Sequence, residues 1–166
     1  MAESKKSQRS TYDRALDMLE ARARAVDELR RLLIKKGEPQ LEVDAAIERL
    51  RAGGILDDAN FARQLARSKA LGAGMSRRRI QLELTRRGVA RDVSEEAIEA
   101  VFAEERVDED AAIERVARKK LRMLARLDLA TQRRRLFGYL ARRGYDSDDI
   151  ARVARLVLAD APSGDE

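Results

Sequence analysis

Residues 83–89 read Glu-Leu-Thr-Arg-Arg-Gly-Val, and the five from Leu84 to Gly88 have near copies at Leu33-Ile34-Lys35-Lys36-Gly37 and Leu140-Ala141-Arg142-Arg143-Gly144. Leu, a variable residue, two cations and Gly, found three times in one short chain, mark a structural unit used three times. An apolar residue stands four places before each Leu, at Leu29, Ile80 and Leu136. Such an i, i+4 pair running into two cations and a Gly describes a helix whose last turn complements its own negative end and whose chain leaves through a left-handed residue. Each cation so placed stabilises its helix by about 0.3–1 kcal/mol, so the doubled cations have a structural reason to be there before any binding role.

Ten and thirteen places beyond the glycines stand Ile47 and Leu50, Ile98 and Val101, and Ala154 and Val157. With Glu42 and Asp44, Glu95 and Glu96, and Asp148 and Asp149 ahead of them, these positions predict a third helix with carboxylates in its first turns. A first helix precedes each unit. Tyr12 with Leu16 and Phe61 with Leu65 repeat an aromatic–Leu pair at i, i+4, where the third copy has Ile113 and Ala117. Tyr12 and Phe61, at equivalent positions, are expected in the core rather than stacked on bases.

The reading is therefore all-α: an elongated tandem array of three three-helix, helix-turn-helix-like repeats. They cover residues 11–56, 57–107 and 108–160, with a polar tail at 1–10 and a short one at 161–166. One such unit alone buries little surface, and stacking is expected to share a core between neighbours. A continuous coiled coil is excluded, because Gly37, Pro39, Gly53, Gly54, Gly72, Gly74, Gly88 and Gly144 break any heptad register.

The chain has 166 residues, 39% charged and 44% hydrophobic, with no Cys and no His. Disulfides and thiolate chemistry are thereby excluded, and transition metals lose their usual ligands. A general base near neutral pH would need a strongly shifted carboxylate or Lys. With no phosphate-binding Gly loop and no nucleophile beside a base, an enzyme is not expected, and neither is a cofactor, a metal or a small-molecule substrate. The polar start, MAESKKSQRS, lacks an apolar leader region, and no apolar run approaches the ~20 residues that span a bilayer. A cytoplasmic, membrane-free, monomeric protein is the expectation.

The formal net charge is +5, and its distribution along the chain is uneven. From Arg63 to Arg91 nine cations face the single carboxylate Glu83, and a second basic block from Arg115 to Arg143 is opposed only by Asp128. Between them, from Asp92 to Glu114, the sign reverses. Arg77-Arg78-Arg79 and Arg133-Arg134-Arg135 lie at matching places, read as directly before the second helices of repeats 2 and 3, where repeat 1 has Val26-Asp27-Glu28. A charge run is commonly a solvated face. Here uncompensated cations repel one another unless an external anion neutralises them, which favours an anionic partner. The candidate contacts are Arg77, Arg78, Arg79, Arg86, Arg87, Arg133, Arg134, Arg135, Arg142 and Arg143, each a charge or fork for an anion rather than a catalyst.

Residues 53–89, GGILDDANFARQLARSKALGAGMSRRRIQLELTRRGV, resemble the central repeat of the RecX regulatory family. Leu-Asp-Asp before Phe-Ala, Ala-Arg-Ser-Lys on the first helix and Arg-Arg-Ile followed by Glu-Leu and Arg-Gly on the second stand in the family's order. The first repeat matches through YDRALDMLEARARAVDELRRLLIKKG and AIERLRAGGILDD, so the likeness extends over about residues 11–158. The resemblance implies a right-handed array that binds the bacterial recombinase RecA on its DNA filament and inhibits filament extension, ATP hydrolysis and strand exchange, in recombination, repair and the SOS response. Direct contact with single- or double-stranded DNA is compatible with it. The competing reading is a DNA-binding architectural protein that acts on backbone phosphate without a recombinase. Against the family pattern, Ala25 replaces a Ser before the second helix of repeat 1, and Ala73-Gly74-Met75-Ser76 replaces a Gly-Pro turn. Both are expected to weaken helix starts, by about 1 kcal/mol where a polar cap becomes Ala.

Overall fold

The computed structural model describes residues 9–160, and among them every regular element is helical. Repeat 1 holds α1 (Thr11–Ala21), α2 (Val26–Lys35) and α3 (Gln40–Ala52). Repeat 2 holds α4 (Asp58–Arg67), α5 (Arg77–Arg86) and α6 (Arg91–Glu104), and a π-helical turn, Ser68–Gly72, prolongs α4. Repeat 3 holds α7 (Glu109–Leu124), α8 (Leu129–Arg142) and α9 (Ser147–Ala159). Short side chains start most of these helices: Ser10, Asp57, Ser76, Asp108, Asp128 and Asp146 each accept a hydrogen bond from an N–H of the first turn they precede.

The second helices end as their sequence predicts. Gly37, Gly88 and Gly144 have φ of 90°, 85° and 88°. Behind Gly88, its own N–H donates to the Thr85 carbonyl at 3.0 Å and the Val89 N–H to the Leu84 carbonyl at 3.1 Å, which satisfies carbonyls the helix would leave open. The pairs Leu29 and Leu33, Ile80 and Leu84, and Leu136 and Leu140 are fully buried, and the third-helix positions Ile47, Leu50, Ile98, Val101, Ala154 and Val157 close over them. Phe61 is in the core of repeat 2, and Tyr12 packs against that of repeat 1.

The shared core is corrected by the structure. Each repeat closes around its own apolar cluster, and the substantial helix packing lies within repeats. Among the described residues, only Ala25, from the α1–α2 link, belongs to a neighbour's core, that of repeat 2. The reason is geometric: neighbouring repeats meet through helix ends, where backbone polar groups must be satisfied, rather than through apolar faces.

Both junctions are built alike. The C-terminal end of α5 abuts the start of α2, and the C-terminal end of α8 abuts the start of α5. At the first, a Cβ on Gly88 would lie 2.5 Å from Asp27 Cβ; at the second, one on Gly144 would lie 2.5 Å from Arg79 Cβ. The Ser76 N–H donates to the Arg143 carbonyl at 3.0 Å, joining the α8 terminus to the α5 cap. An acid from the following repeat completes each joint. The Val26 N–H donates to Asp58 Oδ1 at 2.8 Å, and the Arg77 N–H to Glu109 Oε1 at 3.0 Å.

These joints overturn the expected weak helix starts. Ala25 makes no side-chain cap, but Asp58 caps α2 from the next repeat. In the Ala73–Ser76 turn, Ser76 itself accepts from the Arg79 N–H at 3.3 Å.

Candidate functional site

The ten candidate arginines divide into two groups by what the fold does with them. Arg77, Arg79, Arg87 and Arg143 are partly buried at the repeat junctions. Arg77 pairs with Glu99 at 2.9 Å and Glu109 at 3.4 Å and lies over the Phe102 ring. Arg87 reaches Glu83 at 3.1 Å and, across the junction, Glu28 at 3.4 Å. Arg143 donates to the Ala73 carbonyl at 3.0 Å and covers the Tyr139 ring. Arg79 lies against Gly144, its Nε buried without a hydrogen-bond partner among the described residues. Arg78, Arg86, Arg133, Arg134, Arg135 and Arg142 are exposed and form no ion pair among the described residues.

Helical register explains the division. Counted back from the capping glycines, Arg77 and Arg133 are equivalent, as are Arg78 and Arg134, and Arg86 and Arg142. The positions of Arg78 and Arg86 point away from the Ile80 and Leu84 stripe that faces the core, so their side chains meet water. The same positions on α2 carry Asp27 and Lys35, with exposed Arg31 between them. Lys35 was missed as a site candidate, although alignment on Gly37 places it level with Arg86 and Arg142. Arg133, Arg134 and Arg135 do not precede their helix as read from sequence. They sit inside α8, which begins at Leu129 because Asp128 caps it a turn earlier than Ser76 caps α5.

The uneven charge of the linear sequence is partly cancelled by folding. α4 packs on α6, which brings Arg63 to Glu104 at 2.6 Å and Arg67 to Glu105 at 2.7 Å. The first basic block therefore finds its acids in the segment 92–114, and Lys69 finds Glu83 at 3.3 Å. Burial pushes the Glu83 carboxyl up, but hydrogen bonds from Arg87 and Lys69 outweigh it and hold the group below its ordinary range. The second block, on α7 and α8, keeps more of its charge: Arg118 pairs with Glu114 and Asp160, whereas the α8 run has no acid beside it among the described residues.

At the junctions two acidic groups titrate unusually. Burial raises Asp58, with the Val26 N–H pulling the other way. Burial lifts the Tyr145 phenol to about 12, so it stays a donor to the Gly74 carbonyl, at 3.0 Å. No helix of the described residues is long and apolar enough to cross a membrane.

Three family models match in series: the first, second and third three-helix domains of RecX, at residues 12–50, 57–98 and 108–154. A regulatory protein RecX of Mycobacterium avium is 40% identical over 144 residues, covering 87% of this chain and 82% of that protein. One from Pelodictyon phaeoclathratiforme is 32% identical over 152 residues, covering 92% and 91%. The crystal structure of RecX from Lactobacillus salivarius superposes with a TM-score of 0.65 over 90% of this chain and 95% of that one, at 17% identity, which is a likeness of fold. With its three repeats matched in order and curated relatives aligned over most of their length, this chain belongs to the RecX family of regulatory proteins.

Proposed function

We propose that this protein binds the filament that the recombinase RecA forms on DNA and restrains its extension, ATP hydrolysis and strand exchange, in recombination and DNA repair. It acts in the cytoplasm as a monomer, without catalysis, by occupying surface that an incoming subunit needs. Membership of the RecX family supports the partner. The observation that carries the mode of binding is the row of exposed cations at equivalent positions on successive second helices: Arg78 and Arg86 on α5, Arg134 and Arg142 on α8. The end of α8 abuts the start of α5, and we read the row as running on from one repeat to the next, which suits a long, repetitive anionic surface, either acidic protein or DNA phosphate. Arg133 and Arg135 extend it. Arg77, Arg79, Arg87 and Arg143 contribute by holding the repeats in line.

The test is the DNA-dependent ATPase of purified recombinase, titrated with wild type and with the variant Arg78→Glu/Arg86→Glu/Arg134→Glu/Arg142→Glu. Wild type should slow the ATPase. The variant, with unchanged far-ultraviolet circular dichroism, should need roughly tenfold more protein or beyond for the same effect, the loss of a few exposed charge contacts. Undiminished inhibition by the variant would remove these residues from the interface. No slowing by wild type at DNA excess would remove the function itself and favour plain DNA binding.

A further inference from the structure

Repeats 1 and 2 each present one face to the repeat that follows. In repeat 2 this face is the groove between α5 and α6, where Arg77 is held by Glu99 and by Glu109 from the first turn of α7. In repeat 1 it lies between α2 and α3, and Asp58, from the first turn of α4, arrives at the equivalent place. Both visitors bring a carboxylate at a helix start. The same face of repeat 3, between α8 and α9, is an open groove of about 940 Å³. Its apolar wall is uncovered: Leu129 is 64% exposed and Phe137 40% exposed.

Its charge differs from that of the internal faces in one respect. Arg133 is equivalent to Arg77, but Arg155 stands where repeat 2 has Glu99. The acid that would answer Arg133 is replaced by a second cation, and neither Arg133 nor Arg155 has an ion pair among the described residues. We propose that this terminal face receives the start of an amphipathic helix from a partner protein. The helix would carry acidic residues in its first turn and apolar residues at i, i+4, and would lie on the face that answers to the one α4 and α7 cover on repeats 1 and 2, its acids toward Arg133 and Arg155 and its apolar residues toward Leu129 and Phe137.

Two other occupants fit less well. A second copy of this chain would offer the start of α1, whose first-turn acid Asp13 is already engaged by Ser10 and which Arg9, Lys6 and Lys5 precede in sequence, so like charges would come to Arg133 and Arg155. Because α8 starts a turn earlier than α5, Arg133 has no free backbone N–H, so an incoming acid would meet the Arg133 and Arg155 side chains instead. Nucleic acid would satisfy the arginines but leave Leu129 and Leu158 without an apolar counterpart. The groove shares Arg133 and Arg134 with the row proposed for the recombinase filament, so Leu129→Asp, which leaves every cation of that row in place, separates the failure of one reading from the failure of the other.

The experiment is fluorescence anisotropy with a fluorescein-labelled helical peptide bearing Asp-Asp-Glu in its first turn and Leu at i, i+4. A twin with Lys for each acid, labelled oligothymidylate, and sedimentation velocity of the protein alone complete the set. The acidic peptide should bind best. Leu129→Asp should weaken it roughly tenfold or more, and so should Arg133→Glu/Arg155→Glu, whose reversed charge should in turn favour the Lys twin. Circular dichroism should be unchanged in both variants, since these side chains are exposed. Absent or charge-blind peptide binding, indifference to both variants, tighter binding of oligothymidylate at the same residues, or a protein dimer dispersed by Leu129→Asp would each overturn the proposal.

Discussion

Gly37, Gly88 and Gly144 share a backbone conformation but not a neighbourhood. A Cβ on Gly37 would meet nothing within 4 Å, whereas one on Gly88 would collide with Asp27 and one on Gly144 with Ser76 and Arg79. Gly37→Ala should therefore cost only the left-handed strain, about 1–2 kcal/mol. Gly88→Ala adds overpacking at a junction and should cost about 1–3 kcal/mol more. Urea denaturation of the two variants checks this, and equal losses would mean that the junction yields freely. Asp58 is the second residue with a double duty, standing in the first turn of α4 while capping α2. Asp58→Ala should lose about 1 kcal/mol, as for other N-caps. Asp58→Asn keeps an acceptor and removes a charge whose burial is unfavourable, so its urea midpoint at pH 7 should stay close to wild type. If Asn proves as damaging as Ala, the carboxylate charge matters more than the hydrogen bond.

Within an element, periodicity carried most of the information. The stripes ending in Leu33, Leu84 and Leu140 named the buried face of each second helix, and the glycines named its end, because both depend on neighbours close in sequence. Leu84→Ala, at a fully buried site, should accordingly cost about 2–5 kcal/mol by thermal or urea unfolding, while Leu82→Ala, exposed on the same helix, should cost little. What stayed hidden depends on partners far along the chain. Leu-Asp-Asp before Phe61 reads as an ordinary cap, and nothing local reveals that Asp57 serves α4 while Asp58 serves α2. Likewise, adjacent cations look alike in a row of Arg residues. Folding alone separates Arg77, clasped by Glu99 and Glu109, from exposed Arg78 beside it. The basic candidates were thus legible as a group, but not which of them the junctions use.

The whole molecule is three cores joined by polar hinges, and its response to acid and to local damage should show both features. Hydrogen bonds hold several carboxylates below their ordinary range: Asp13, Asp128 and Asp146 at helix starts, and Glu38, which accepts from the Thr11 hydroxyl and from Arg14. A carboxylate lowered in the fold contributes stability that is complete above its unfolded value, about 4, and is lost as pH falls through the folded value. Asp58, raised by burial, acts in the opposite sense: its contribution weakens as pH climbs from about 4 through its folded value. The lowered groups outnumber it, and the chain has no His to titrate near neutrality. Urea midpoints should hold steady from about pH 8 to 6 and drop below about pH 4. A midpoint that rises on acidification would contradict the assignment. The separate cores have a sharper consequence, because stability in such an array is a sum of repeat and junction terms rather than one shared quantity. Leu140→Ala empties part of the repeat 3 core and should speed hydrogen exchange at the amides of α7, α8 and α9. Amides in α1 and α3, two junctions away, should keep their protection, and those of α5 should loosen slightly because Ser76 loses a firm partner in the Arg143 carbonyl. Uniform loss from α1 to α9 would instead mean that the joints formed by Asp58, Ser76 and Glu109 bind the repeats into a single cooperative unit.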